Sequence, residues 1–213
     1  MSLTATVASA WAEPVAPTSA ASSTRVARSA AGPIAHVVQV VVMGVSGCGK
    51  SSVGAQLAHA LGAAYLEGDS LHPPRNVALM AAGTPLTDAD RAGWLQALAA
   101  RLQKAHADGA ALVLSCSALK RRYRDTLRSG CPGLRFVHLH GTPALLAVRL
   151  AERTGHYMPA SLLPSQLQSL EMPQADEQAL GFDIAMPVAE IVRSALQQLL
   201  PAPHSPTSIN PTA

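Results

Sequence analysis

Aromatic side chains are scarce in this chain: 3% of 213 residues, as two Trp, three Tyr and two Phe. Its core must therefore be filled mainly by Leu, Val and Ala, and a hydrophobic share of 48% is ample for one full-sized domain. Cysteine is scarce too. Cys48, Cys116 and Cys131 are an odd number without C-x-x-C spacing, which argues against a disulfide framework and for a reducing compartment. Charge of one sign is not in excess: 16 basic against 13 acidic residues leave a net +3, no bulk footprint for nucleic acid. No stretch reaches the ~18 uninterrupted apolar residues of a membrane span. These absences point to a soluble, cytoplasmic protein with neither nucleic acid nor membrane as partner.

What is present begins at the loop Gly44-Val45-Ser46-Gly47-Cys48-Gly49-Lys50-Ser51, which fits G-x-x-x-x-G-K-[ST] at every fixed position. The apolar run Val37–Met43 enters it and a helical pattern, Lys50–Leu61, leaves it. Glycines let such a loop wrap closely on phosphates, and backbone N–H groups with the positive end of the following helix hold the anion. Lys50 is placed to reach the β- and γ-phosphates of a nucleoside triphosphate, and the Ser51 hydroxyl to ligate magnesium.

The flanks are different in kind. Residues 1–35, rich in Ala, Ser, Thr and Pro, offer little apolar surface to offset ordering, so a disordered extension is expected. Arg25 and Arg28 loosely suggest a transit peptide, but Glu13 and the prolines weigh against it. Residues 201–213 read as a second disordered tail. Between them, in 36–200, strand and helix alternate. Val37–Met43, Ala64–Leu66, Ala111–Cys116, Arg135–Leu139 and Phe182–Ala185 are the predicted strands. Predicted helices cover Lys50–Leu61 (with Gly62 as C-cap), Pro74 to Ala82, the segment opened by Thr87-Asp88-Ala89-Asp90, Leu119–Arg128, Ala144–Arg153, Ser165–Glu171 and Val188–Leu200. Trp94, Leu95, Leu98 and Leu102 line one face of the third. Residues 154–163 lack a period and read as a mobile loop, within a lid region of 154–172. Such alternation predicts an α/β three-layer sandwich around a five-stranded, mostly parallel sheet.

Absent motifs narrow the class. No D-x-x-G with N-K-x-D marks a GTPase, and the strand Ala111–Ser115 leads into Ser-Cys-Ser rather than the Asp-Glu of a motor ATPase. Asp69 follows the second strand, at the carboxyl end where parallel sheets place ligands, which fits a small-molecule kinase. Several segments carry a closer likeness: Met43–Ser51, Glu67-Gly68-Asp69-Ser70-Leu71-His72-Pro73, Gly83 to Arg91 (Gly-Thr-Pro-Leu-Thr-Asp-Ala-Asp-Arg), Trp94-Leu95, and Cys116-Ser117-Ala118-Leu119-Lys120 with Tyr123-Arg124-Asp125. Arg153-Thr154-Gly155-His156-Tyr157-Met158 and Gln166 to Pro173 continue it. In these the chain resembles the gluconokinases, from about Val38 to about Leu199. It departs at Cys48, at Tyr157 and at Ala92-Gly93, none of them a group needed for phosphoryl transfer.

The resemblance implies a nucleoside-monophosphate-kinase-like P-loop fold, ATP and Mg2+ as cofactors, D-gluconate as the small-molecule substrate phosphorylated on its 6-hydroxyl, and a homodimer. It makes Gly44, Val45, Ser46, Gly47, Cys48, Gly49, Lys50 and Ser51 the nucleotide cradle, with Arg149 beside it. Lys50, Asp69 and Arg153 become the catalytic set, and Ser51 and Asp69 the metal residues. Asp69 orients the attacking hydroxyl and takes its proton, unless it only caps the next turn. For the acceptor, Asp69, His72, Arg75, Lys120 and Arg124 are the candidates. Arg75, Arg91, Lys120 and Arg124 are the cations within matching motifs, and Lys120 with Arg124 is the favoured pair for the carboxylate. His72 either bonds a sugar hydroxyl or steadies the Pro73-Pro74 turn. A kinase of another hydroxy acid, shikimate-kinase-like, and an ATP-binding module without turnover are the alternatives.

Overall fold

The strand next to the loop shows why the chain folds as it does. In β1 (Gln39–Met43) every residue is buried, and alternate side chains serve opposite faces. Val40 and Val42 join one apolar cluster, with Val53 and Leu57 of α1 (Lys50–Leu61) and Ile191 and Ala195 of α7 (Val188–Leu199). Val41 and Met43 join the other, with Trp94, Leu98 and Leu102 of α3 (Asp88–Ala107) and Leu127 of α4 (Arg121–Arg128). A strand covered on both sides reads as an unbroken apolar run, and that run is what the sequence displays. The computed structural model describes residues 37–152 and 159–200. The extension 1–35 and the tail 201–213 lie outside the described residues.

β1, β2 (Ala64–Glu67), β3 (Leu112–Ser115), β4 (Arg135–His140) and β5 (Leu180–Asp183) form a five-stranded sheet in the order β2-β3-β1-β4-β5. All four pairings are parallel. The chain leaves β1 toward β2 on one side and leaves its neighbour β3 toward β4 on the other, so the loop after β1 sits at the switch point where such sheets open a crevice. α2 (Pro74–Ala81), α5 (Pro143–Glu152) and α6 (Leu163–Ser169) complete the helices. The three-layer architecture is the expected one.

Differences from the predicted elements have local causes. β1 begins at Gln39, two residues late; Gln39 Nε2 donates instead to Ala110 O at 2.8 Å. The helix expected from Leu119 starts only at Arg121, because Ala118 adopts a left-handed backbone (φ 44°) and Lys120 is extended. α6 begins two residues early, since Pro164 is tolerated in a first turn. β5 spans Leu180–Asp183 rather than 182–185, its register against β4 pairing Leu180 with Val137. Of the expected mobile loop, Ala160–Leu162 is a 3-10 turn and residues 153–158 lie outside the described residues. The Thr87 capping box forms with Asp in place of Glu: Thr87 N donates to Asp90 Oδ2 at 2.9 Å and Asp90 N to Thr87 Oγ1 at 3.2 Å.

Candidate active site

Two close backbone approaches shape the site. At Gly44 (φ 142°) an added Cβ would lie 2.4 Å from Leu139 O, and at Gly68 one would lie 2.2 Å from Ser115 O, so neither position admits a side chain. Gly44 N in turn donates to Ser117 O at 3.3 Å, which ties the start of the loop to the Cys116–Lys120 segment.

A cleft of about 720 Å³ opens over the loop, lined by Ser46, Gly47, Gly49, Lys50, Ser51, Glu67, Asp69 and Arg149 among others. That volume suits a nucleotide. Lys50 Nζ donates to Val45 O at 3.0 Å, and Arg149 Nη2 to Ile184 O at 2.7 Å. Both cations line the same cleft. Cys48 and Cys116 are buried thiols pushed up by desolvation, Cys116 to about 12, so neither is a nucleophile at neutral pH.

Glu67, unassigned from the sequence, lies beside the Ser51 hydroxyl. Burial pushes its carboxyl up, but hydrogen bonds from Ser115, Ser51 and Tyr65 outweigh this and hold it below its ordinary value. Tyr65 OH donates to Glu67 Oε2 at 2.8 Å, and Ser115 Oγ to Oε1. The pair Glu67 and Asp69 was a visible signal, because the two carboxylates flank Gly68 where β2 ends. Among the described residues no group of three His, Cys, Asp or Glu could hold a metal alone. A hydroxyl with two carboxylates nevertheless fits Mg2+, a hard cation that normally takes one or two carboxylates plus phosphate oxygens.

A second, narrower cavity adjoins the cleft. Ser46, Lys50 and Asp69 line both, and His72, Arg91, Trp94 and Gln166 add polar groups to the second. Trp94 Nε1 donates to Gly68 O at 2.8 Å, and the His72 ring stacks on the indole with centroids 4.0 Å apart. Burial lowers the His72 pKa, against the opposing pull of Asp69. Met80, Leu86 and Leu162 supply the apolar wall.

The structure redistributes the expected cations. Arg124 is 0% exposed and turned into the protein: Nε and Nη2 donate to the Glu177 carboxylate at 2.5 and 2.7 Å, and Nη1 to Ala118 O, Leu119 O and Glu171 O. It is a structural residue, and its assignment to the substrate is corrected. Lys120 is paired with Asp88 at 3.0 Å, and Arg75, with its side chain 77% exposed, with Asp90 at 3.1 Å; neither lines the cleft or the second cavity. Tyr123 and Lys120 hold the Asp88 carboxyl down at about 2. Arg91, passed over in favour of Lys120 and Arg124, is the arginine at the second cavity, its Nη1 donating to Leu86 O at 2.5 Å. Its signal was its place on α3, one turn before the buried Trp94. Arg153, expected near the phosphoryl group, lies outside the described residues, as does His156.

The chain matches known proteins along this same frame. A family model described as an AAA domain covers residues 40–173. The gluconokinase of Gluconobacter oxydans (strain 621H) is 54% identical over 138 residues, 65% of this chain and 78% of that protein. The thermoresistant gluconokinase of Escherichia coli (strain K12) is 44% identical over 158 residues, 74% of this chain and 90% of that one. Among solved structures, a gluconokinase from Sinorhizobium meliloti 1021 superposes with a TM-score of 0.70 at 52% identity, covering 77% of this chain and 92% of that structure.

Proposed function

We propose a reaction from one premise: this chain belongs to the gluconokinase family of P-loop kinases. The reaction is transfer of the γ-phosphoryl group of ATP to the 6-hydroxyl of D-gluconate. One observation carries it. Ser46, Lys50 and Asp69 line both the cleft and the adjoining cavity, so donor and acceptor would meet across the same three side chains.

ATP occupies the 720 Å³ cleft, its phosphates wrapped by residues 44–51. Gluconate would bind where the cleft meets the narrower cavity, its carboxylate toward the planar fork of Arg91 and a hydroxyl toward the hydrogen-bonding edge of His72. Asp69 orients the 6-hydroxyl and accepts its proton as the new O–P bond forms. The bond from γ-phosphorus to the bridging oxygen breaks, and ADP departs with that oxygen. Lys50 neutralises charge on the transferring group. Arg149 flanks the nucleotide, and Arg153 keeps the role at the phosphoryl group that the family implies. Ser51, with Glu67 and Asp69 beside it, would hold Mg2+, which supplies charge neutralisation across the β- and γ-phosphates when bound. The family reading extends to a cytoplasmic homodimer, which sedimentation velocity would test against a monomer.

A coupled assay of ADP release with gluconate, with shikimate and without acceptor tests the reading. Gluconate-dependent release at least ~100-fold above the other two arms is expected, on the scale by which polar sites reject mismatched acceptors. Equal rates in all three would refute it.

A further inference from the structure

The segment that follows residue 158 is hydrogen-bonded to the phosphate loop through the Gln166 side chain. Gln166, on α6, grips Ser46 at two points: its Oε1 accepts from Ser46 N at 2.7 Å, and its Nε2 donates to Ser46 Oγ at 3.0 Å. These two contacts fix the orientation of the carboxamide, oxygen toward the backbone N–H and nitrogen toward the hydroxyl. Ser46 is one of the residues shared by the donor cleft and the acceptor cavity, and Gln166 lines the latter.

Just past α6, Glu171 fastens the chain to the acceptor side. Glu171 N donates to Leu119 O at 2.9 Å, Arg121 N donates to Glu171 Oε2 at 2.6 Å, and buried Arg124 bonds Glu171 O at 3.0 Å. Leu119 is itself a wall of the acceptor cavity, and buried Leu163 anchors the start of the helix. A short rigid strut therefore runs from the acceptor wall to the tip of the phosphate loop, and Gln166 is its contact there.

We propose that Gln166 is a positioning residue for phosphoryl transfer, holding Ser46 at the partition between ATP and gluconate so that the two reacting groups are in register. The inference rests on the gluconokinase reading. Ser46 sits at the junction rather than deep in the nucleotide cleft. Loss of the grip therefore misaligns the transfer step while leaving most ATP contacts in place, and misplacement by about an ångström is enough to slow such a step ~100-fold. A loosened partition also admits water to the γ-phosphoryl group, raising ATP hydrolysis relative to transfer.

The test uses the full chain and its Gln166→Ala, Ser46→Ala and double variants. It measures kcat and KM for ATP and gluconate, the ratio of acceptor-independent hydrolysis to transfer, and the melting temperature. For Gln166→Ala the expected result is a kcat about 10- to 100-fold lower, a KM for ATP within about threefold of the parent, and a hydrolysis ratio raised several-fold. Ser46→Ala, which keeps the N–H contact, should lose less. Adding it to Gln166→Ala should cost little more, the signature of two residues acting through one contact. Should Gln166→Ala fail to fold, Ser46→Ala carries the same comparison with only the hydroxyl contact removed. A Gln166→Ala enzyme with kcat within twofold of the parent and an unchanged hydrolysis ratio overturns the proposal, as does full additivity of the two changes. Absence of gluconate-dependent turnover in the parent chain would instead refute the gluconokinase reading and this inference with it.

Discussion

Replacing Glu177 by Gln should destabilise the protein far more than its distance from the loop suggests. Glu177 accepts two bonds from Arg124 and one from Arg128 Nη1 at 3.2 Å, with its side chain 1% exposed. The Gln keeps the shape and removes the charge, which leaves the Arg124 guanidinium buried and uncompensated. Stranding one partner of a buried pair costs about 3–5 kcal/mol. A domain of this size has only about 5–15 kcal/mol in all. At about 2–4 °C per kcal/mol, the melting temperature should fall by roughly 6–20 °C. The acceptor site should suffer as well, since Arg124 Nη1 ties down Ala118 and Leu119. Ala118 is held in a left-handed conformation, and Leu119 walls the acceptor cavity. An apolar pair, Arg124→Met with Glu177→Leu, should recover much of the stability, because both charges are then gone. It should not recover gluconate affinity, because the carbonyl anchors stay lost. Chemical and thermal melts of the three proteins decide the matter. A loss below about 1 kcal/mol in Glu177→Gln, or a double variant as unstable as the single one, would refute this account of the ion pair.

Other expectations concern the site and its pH response. Lys50→Ala and Asp69→Asn should each lower kcat by about two or more orders of magnitude with melting curves unchanged; near-normal turnover of Asp69→Asn would remove it as the base. Arg91→Ala should raise KM for gluconate about 10- to 100-fold with KM for ATP nearly constant, whereas Lys120→Ala should change KM for gluconate less than about threefold, and steady-state kinetics with both substrates varied separates the two. Burial, with His140 and Arg124 nearby, lowers the His138 pKa to about 4, and its Nε2 has no partner among the described residues. Between pH 6.5 and 4 the unfolded chain then binds more protons at this imidazole than the folded one, so stability should fall as pH falls, by about 3 kcal/mol in total. His138→Leu should flatten that limb in denaturant melts taken across the range, and an unchanged slope would assign the acid sensitivity elsewhere.

How much the sequence discloses depends on the reach of each interaction. β1, α1 and the loop between them were legible because their signals are local: an apolar run, a glycine pattern and a helix with its Gly62 stop. The Thr87 capping box was legible for the same reason, with its partners three residues apart. Arg124 was misread because its partner, Glu177, is 53 residues further on and no local pattern announces it. Lys120 shares that difficulty, since Asp88 claims it across 32 residues. The late start of α4 followed from the Ala118 backbone, a conformation that alanine rarely adopts and that the buried Arg124 helps to hold. Glu67 and Gln166 stayed unassigned because their meaning comes from Ser51 and Ser46, brought to them by the sheet and by α6.

The site transfers the γ-phosphoryl group of ATP to a primary hydroxyl of a sugar acid, and the product records whether that is so. Phosphorus NMR of the purified product from ATP and D-gluconate should show one new phosphomonoester signal, split into a triplet by a methylene group. That pattern places the phosphoryl on the 6-hydroxyl. A doublet, from a secondary hydroxyl, would contradict the geometry assigned to Asp69 and Arg91; inorganic phosphate as the only product would contradict transfer itself.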